Sequence, residues 1–408
     1  MDSACPKSIA GFQSASTSTW GCFTPLTRED LDLALATLDM PLFEDADFDV
    51  DVYECNRVEV LNNNLMDTPA HEIFTQSVVV GYQDPINTPG LVLKTDLRPS
   101  PIAHLLPPVF REPAIVSDFD HRRKLFVDAP HYLNKSLNKF CKDLVQPVPQ
   151  KELDIVAYSM AQYNLESGAF SNLRTLSLEE AIMAKHLDAS SLDLTTSPGL
   201  PWSLEKNRQG KQAHIRKNDD GSLAFISDAF KTATSTLLGK LRNNIVPFYI
   251  QNDFMKDELR DTTLAKHNVT STVTVLPMHV TVVTRQLMLD YHSRLHTLAK
   301  RAYQCSVGVN MDSRTSQLML QKLCSRSGGR HCVDFDVSNW DGHFPGWLFR
   351  VICDLRNRVY RASEFSNSKD EIARQCVYDS MIFGYVQIGR FVYRKFRGMS
   401  SGFCGTAE

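Results

Sequence analysis

The chain has 408 residues, 43% of them hydrophobic and 22% charged, which are values of a globular protein with room for more than one substructure. A formal net charge of −3 excludes a uniformly basic coat for a polyanion, although a basic channel on a near-neutral molecule stays compatible with it. No apolar run is long enough to cross a membrane, residues 1–7 do not have the pattern of a secretory signal, and the 10 cysteines include no C-x-x-C pair, so they read as reduced and mostly buried thiols.

In chain order, residues 28–54 form an acidic block with Leu31, Leu33, Leu35 and Leu38 interleaved. A solvated, partly disordered face is expected there, with a contact arm for a basic partner as the alternative. Prolines 85, 89, 99, 101, 107, 108 and 113 then block helix interiors and central strands, so 85–113 reads as an extended arm with a soft boundary near residue 115. His121-Arg122-Arg123-Lys124 follows, either a surface cluster or the lining of a polyanion path. Ser177 and Glu180 make a capping box for a helix carrying Leu178, Ile182 and Leu187.

Thr196-Ser197-Pro198-Gly199-Leu200-Pro201-Trp202 is a proline-fixed turn with Trp202 as an exposed aromatic candidate, followed by Lys206, Arg208, Lys211, His214, Arg216 and Lys217. Basic groups beside an aromatic suit a nucleic-acid strand; a packed turn with a solvated basic hairpin is supported about equally. Asn218-Asp219-Asp220-Gly221 is hairpin-turn chemistry. Lys256 and Arg260 flank Asp257 and Glu258, either as a salt-bridged exposed turn or as cations for a triphosphate. Residues 268–283 are rich in Val and Thr, and 285–302 places Leu287, Met288, Tyr291, Leu295 and Leu298 at helical spacing. Another helix is expected after Ser313, through Leu318, Leu320 and Leu323.

Val333, Phe335 and Val337 alternate with Cys332, Asp334 and Asp336, the period of a half-buried strand. The turn after it brings Asp341 back toward Asp336, and two carboxylates at a strand end suit a divalent metal held against phosphate oxygens; a turn-capping Asp is the plain alternative. Pro345 stands in the first turn of a helix with Trp347, Leu348, Val351, Ile352 and Leu355 on its buried stripe, and 383–396 reads as strand–turn–strand around Gly389.

Phe335-Asp336-Val337-Ser338-Asn339-Trp340-Asp341-Gly342 resembles the first palm motif of viral RNA-dependent RNA polymerases, and Gly398-Met399-Ser400-Ser401-Gly402-Phe403-Cys404-Gly405-Thr406 resembles the second. Phe254-Met255-Lys256-Asp257-Glu258-Leu259-Arg260 is similar to the fingers motif for incoming nucleotides. Thr196 to Trp202 resembles a fingers segment of picornavirus-like and partitivirus-like enzymes, and Ser306-Val307-Gly308-Val309-Asn310 the element before the first palm motif. The resemblance covers residues 190–408.

It implies an α/β (α+β) right-hand polymerase fold with fingers, an incomplete palm and no thumb. Residues 1–115 are then an N-terminal extension, 116–325 the fingers and 326–408 the start of the palm. The implied activity is RNA-directed RNA synthesis from ribonucleoside triphosphates by a two-metal mechanism, with Mg²⁺, or Mn²⁺, held by Asp336. Asp341 would face the ribose, helped by Ser401, Gly402 and Thr406. Lys256, Arg260 and, beyond an apparent insertion, Arg285 would meet the nucleotide; Lys266 is a weaker candidate. Pro198, Gly199, Trp202, Lys206 and Lys211 would meet the template.

Template RNA, ribonucleotides and other viral replication proteins are the implied partners, in a replication complex of the host cytoplasm or in the virion. The family's Pro after Met is here Ser400, which predicts a more flexible loop. The Gly-Asp-Asp motif would lie beyond Glu408, so the chain alone is expected to be an inactive fragment. A reverse transcriptase shares the palm, but a bulky aromatic is expected there in place of Asp341. A non-catalytic RNA-binding protein is the rival outside the enzymes, and a permuted polymerase using Asn218 to Gly221 lacks the apolar strand it needs.

Overall fold

The computed structural model describes residues 78–82, 97, 111–114, 119–120, 125–126, 149–205, 210–261, 271–302, 314–326, 340–382, 384–388, 391–395 and 398–404. The acidic block, the basic cluster at 121–124, the segment 306–310 and the strand expected at 332–337 lie outside them.

A five-stranded mixed sheet collects segments from distant parts of the chain. Its order is β1 (Val78–Tyr82), β11 (Phe391–Arg394), β10 (Tyr385–Ile388), β7 (Ile250–Met255) and β9 (Thr272–Val275). β10 and β11 are the expected strand–turn–strand, antiparallel from Tyr385↔Arg394 to Ile388↔Phe391. β7 pairs parallel with β10 and antiparallel with β9, where Asp253 faces Thr274. β1 runs antiparallel to β11, so an element of the first hundred residues completes this sheet. Three two-stranded pairs accompany it. In one, β2 (Arg111–Pro113) lies antiparallel to β8 (Leu259–Asp261), a ladder end that tolerates Pro113. Another joins β3 (Phe119–Asp120) to β4 (Leu125–Phe126). The third, β5 (Ile215–Lys217) with β6 (Leu223–Ile226), turns through Asn218 to Gly221, where the Asp220 carboxylate accepts from the Ser222 amide at 2.8 Å. That is the hairpin expected of this tetrapeptide.

The helices are α1 (Gln150–Glu166), α2 (Leu178–Met183), α3 (Asp228–Arg242), α4 (Met278–Ala302), α5 (Arg314–Arg326), α6 (Trp340–His343), α7 (Gly346–Arg361) and α8 (Ser368–Ile382). α2 opens with the predicted capping box: Ser177 Oγ accepts from the Glu180 amide at 3.2 Å and Glu180 accepts from the Ser177 amide at 2.9 Å. α5 opens one residue after Ser313. α4 is about 37 Å long at 1.5 Å per residue. It is apolar on more than one side because it serves three cores. Val280, Val283, Leu287 and Met288 pack with α3, α7 and α8; Met278, Val282 and Leu289 pack with Trp202, Ile215 and Phe230; Tyr291 packs with α1 and the far end of α7. α4 starts at Met278, inside the Val- and Thr-rich stretch read as an insertion, and the rest of that stretch includes β9.

Pro345 caps α7 in extended geometry. Phe349 is fully buried in its stripe, while Trp347, Leu348, Val351 and Ile352 are half-buried. An aromatic run crosses the first core: Phe344 meets Phe349 at 4.7 Å between centroids, Phe349 meets Tyr378 at 5.7 Å and Tyr378 meets Phe403 at 5.9 Å. Among the described residues no helix is long and apolar enough to cross a membrane.

Candidate functional site

The aromatic run ties the helical turn at 340–344 to the glycine–serine segment 398–404. Two backbone bonds then stitch them: the Met399 amide donates to the Asp341 carbonyl at 2.5 Å and the Gly398 amide to the Phe344 carbonyl at 3.0 Å. Met399 and Phe403 are buried as plugs in the first core, which turns Ser401 outward. Ser401 Oγ donates to Asp341 Oδ2 at 3.1 Å, and Asp341 Oδ1 accepts from the Gly342 amide at 2.9 Å. Two sequence segments sixty residues apart therefore present one carboxylate–hydroxyl pair.

The loop's other flank rests on β9. The Gly402 amide donates to the Thr274 carbonyl at 3.0 Å, and a Cβ on Gly402 would lie 2.9 Å from that oxygen. Ser400, which predicted flexibility, has the opposite effect. It is fully buried, its hydroxyl donates to Gln251 Oε1, and Lys395 Nζ donates to it at 3.1 Å. A hydroxyl can be held from two sides where a proline ring cannot.

The charged segment after β7 is a compact ion cluster. Glu258 lies 2.7 Å from Arg260 and 3.7 Å from Lys256, and its carboxylate also accepts from the Ser271 amide at 2.9 Å. Arg260 donates to Ser271 Oγ as well. The Glu258 carbonyl accepts from the Ala114 amide at 2.8 Å, so β2 braces the turn. The Lys256 side chain is 55% exposed, a cation facing solvent beside this anchored pair. Arg285 lies in the second turn of α4. Its guanidinium donates to the Ala181 and Ser190 carbonyls at 2.6 and 2.7 Å, and burial pulls its pKa down. It closes the end of α2 and the loop that follows.

The turn at 196–202 is packed, the alternative to a template surface that the sequence supported about equally. Trp202 is only 1% exposed, with its ring edge-on to His214, Phe230 and His279, and its Nε1 donates to His279 Nδ1 at 2.9 Å. A ring enclosed this way offers no face to a base. Pro198 and Gly199 are buried too: the Pro198 carbonyl accepts from the Met278 amide at 2.8 Å, and a Cβ on Gly199, at φ +69°, would lie 2.5 Å from the Leu276 carbonyl oxygen. The close approach to the start of α4 is why this position is glycine. Lys211 is buried, donating to the Asp193 carbonyl at 2.9 Å and to Thr196 Oγ1; burial lowers its pKa to about 8. It props the turn and does not reach out to a phosphate.

Lys206, Thr406 and Asp336 lie outside the described residues. Among the described residues no three His, Cys, Asp or Glu side chains converge on a point that could hold a cation. The described part of the site is thus the Asp341–Ser401 polar pair and, on the segment after β7, the Lys256–Glu258–Arg260 ion cluster. Sequence reasoning missed Lys395 and Gln251; the only hint was a polar Ser400 at a position the family fills with proline.

A family model described as viral RNA-dependent RNA polymerase matches residues 101–407, extending the likeness well upstream of residue 190. Relatives include the RNA1 polyprotein of tomato black ring virus (strain MJ), 28% identical over 340 residues, covering 80% of this chain and 14% of the polyprotein. The genome polyprotein of Salivirus A is 28% identical over 346 residues, covering 82% of this chain and 13% of the polyprotein. The chain therefore spans about one seventh of the curated relatives it matches. Among solved structures, a sicinivirus 3Dpol RNA-dependent RNA polymerase superposes with a TM-score of 0.59 at 20% identity, over 80% of this chain and 62% of the other. That likeness establishes the right-hand fold.

Proposed function

This chain belongs to the viral RNA-dependent RNA polymerase family, and from that premise we propose that it supplies the fingers (116–325) and the first part of the palm (326–408) of an enzyme that copies an RNA template from ribonucleoside triphosphates. The observation that carries this reading is the 3.1 Å hydrogen bond between Ser401 and Asp341. A 2′-hydroxyl both donates and accepts. The carboxylate of Asp341 can accept its proton, while the Ser401 hydroxyl holds the carboxylate in place and can turn to join the contact. A deoxyribose leaves that carboxylate without its partner, and the selectivity follows from the unmatched polar group.

Lys256, on its exposed stem, supports contact with the triphosphate, and Arg260 is held beside it by Glu258. Arg285 takes part by fixing the segment under the nucleotide and not by touching it, because its fork is occupied by two carbonyls. Asp336 is proposed from the resemblance as the carboxylate for Mg²⁺ or Mn²⁺; such an ion would neutralise charge on the triphosphate. Among the described residues no cluster of carboxylates completes that site. Template RNA, ribonucleotides and other viral replication proteins are the proposed partners, in a replication complex of the host cytoplasm or in the virion.

The test is Ser401→Ala in the polymerase that carries this chain, comparing kcat/KM for a ribonucleotide with that for its 2′-deoxy analogue. Losing one hydrogen bond of this kind is expected to lower the ratio about two- to tenfold. An unchanged ratio would overturn the sugar-reading role.

A further inference from the structure

We propose that Lys395 is a positioning residue that sets sugar selectivity from behind the loop, through Ser400. This rests on the reading that Asp341 and Ser401 meet the ribose.

Lysine is almost never fully buried unless something holds its ammonium, because removing that charge from water is costly. Lys395 is 2% exposed. Its backbone amide donates to the Gly384 carbonyl at 3.0 Å, which fixes the root of the side chain beside β10. Its Nζ donates to Ser400 Oγ at 3.1 Å, and Ser400 Oγ donates in turn to Gln251 Oε1 on the inner strand β7. The backbone is shaped around this chain of bonds: a Cβ on Gly384 would lie 2.4 Å from Gln251 Nε2 and 3.3 Å from Lys395 Cε. An apolar residue would fill the same space without any desolvation cost, so an ammonium here contributes something packing alone does not.

What it contributes is a rigid mount for the next residue. Ser400 is covalently next to Ser401, and Met399 on the other side is bonded to the Asp341 carbonyl. Fixing the Ser400 hydroxyl from two directions restrains the backbone that carries Ser401 and keeps its hydroxyl within reach of Asp341 Oδ2. Where the family holds this bend with a proline ring, this chain holds it with a buried donor on a neighbouring strand end.

The experiment uses the polymerase that carries this chain, with Lys395→Met, Ser400→Ala, their double variant, and Ser401→Ala as reference. The readout is the ribose-to-deoxyribose ratio of kcat/KM, with folding checked by circular dichroism. Lys395→Met keeps the shape and removes the donor, and it is expected to lower the ratio about three- to tenfold. The double variant should lower it no further than the stronger single change, because both act through one link. If Ser401→Ala lowers the ratio and Lys395→Met does not, Lys395 is only filling space and the proposal falls while the sugar-reading role stands. If neither changes it, both fall. Should Lys395→Met fail to fold, Ser400→Ala decides, and a parental ratio in that variant overturns the proposal.

Discussion

Replacing Trp202 by Ala separates a packed turn from a template platform. A Trp side chain buries on the order of 200 Å², which at about 25 cal/mol per Å² gives an upper figure of about 5 kcal/mol. Large-to-small changes of this kind cost about 3–5 kcal/mol when the surroundings cannot collapse. Three rings and the start of α4 surround Trp202, so collapse is restricted. His279 adds to the loss. Burial pushes its pKa down to about 3, so it is neutral and its Nδ1 accepts the indole proton. Without the donor that nitrogen is orphaned, costing about 1 kcal/mol more. Trp202→Ala should therefore lower the free energy of unfolding by about 4–6 kcal/mol, and Trp202→Phe by about 1–2 kcal/mol. Urea unfolding of the 408-residue chain, followed by circular dichroism, measures both. A Trp202→Ala chain with an unchanged urea midpoint but weaker single-stranded RNA binding would refute the reasoning and restore the ring to the template.

Lys211→Ala should lower the unfolding midpoint and leave the salt dependence of RNA binding unchanged, whereas a lysine on a phosphate would reduce the log–log slope by about 1. Gly402→Ala drives a Cβ toward the Thr274 carbonyl, 2.9 Å away, and should lift the loop from β9; polymerase kcat/KM should fall, and a parental value would contradict the docking. Asp379, on α8, is raised by burial to about 8 against the opposing pull of Arg350. The folded state therefore binds its proton more tightly than the unfolded chain, so the stability it contributes is complete below pH 3.8 and is lost as pH rises toward about 8. Asp379→Asn should flatten the decline across that window, which falls by at most about 1.4 kcal/mol per pH unit; urea midpoints at several pH values check it.

Local chemistry was legible wherever neighbours in sequence decide the outcome. The Ser177–Glu180 box, the Asn218 to Gly221 turn and the apolar spacing of 285–302 all act within one or two turns, and each formed as expected. The pairing of Asp341 with Ser401 was legible only through family likeness, because nothing local links positions sixty residues apart. Trp202 and Lys211 stayed ambiguous in the sequence for a physical reason: an amphipathic side chain is equally at home on a wet groove and in a core with one partner. His279 and the Asp193 carbonyl are those partners, and both are remote in sequence or hidden in a backbone atom. The helix read over 285–302 begins earlier, at Met278, because burial against two cores outweighs the weak helix preference of Val and Thr in that stretch.

The pairing of Val78 with Arg394 has a consequence for the order of events on the ribosome. More than three hundred residues separate these partners, so β1 leaves the exit tunnel long before β11 exists. At typical rates of about 5–20 residues per second the wait is roughly 15–60 s. Throughout it, an early strand has its backbone donors and acceptors unclaimed by the sheet and open to nascent chains nearby. Slower elongation or crowded polysomes would lengthen that interval, making translation speed a determinant of how much of this chain reaches its native sheet.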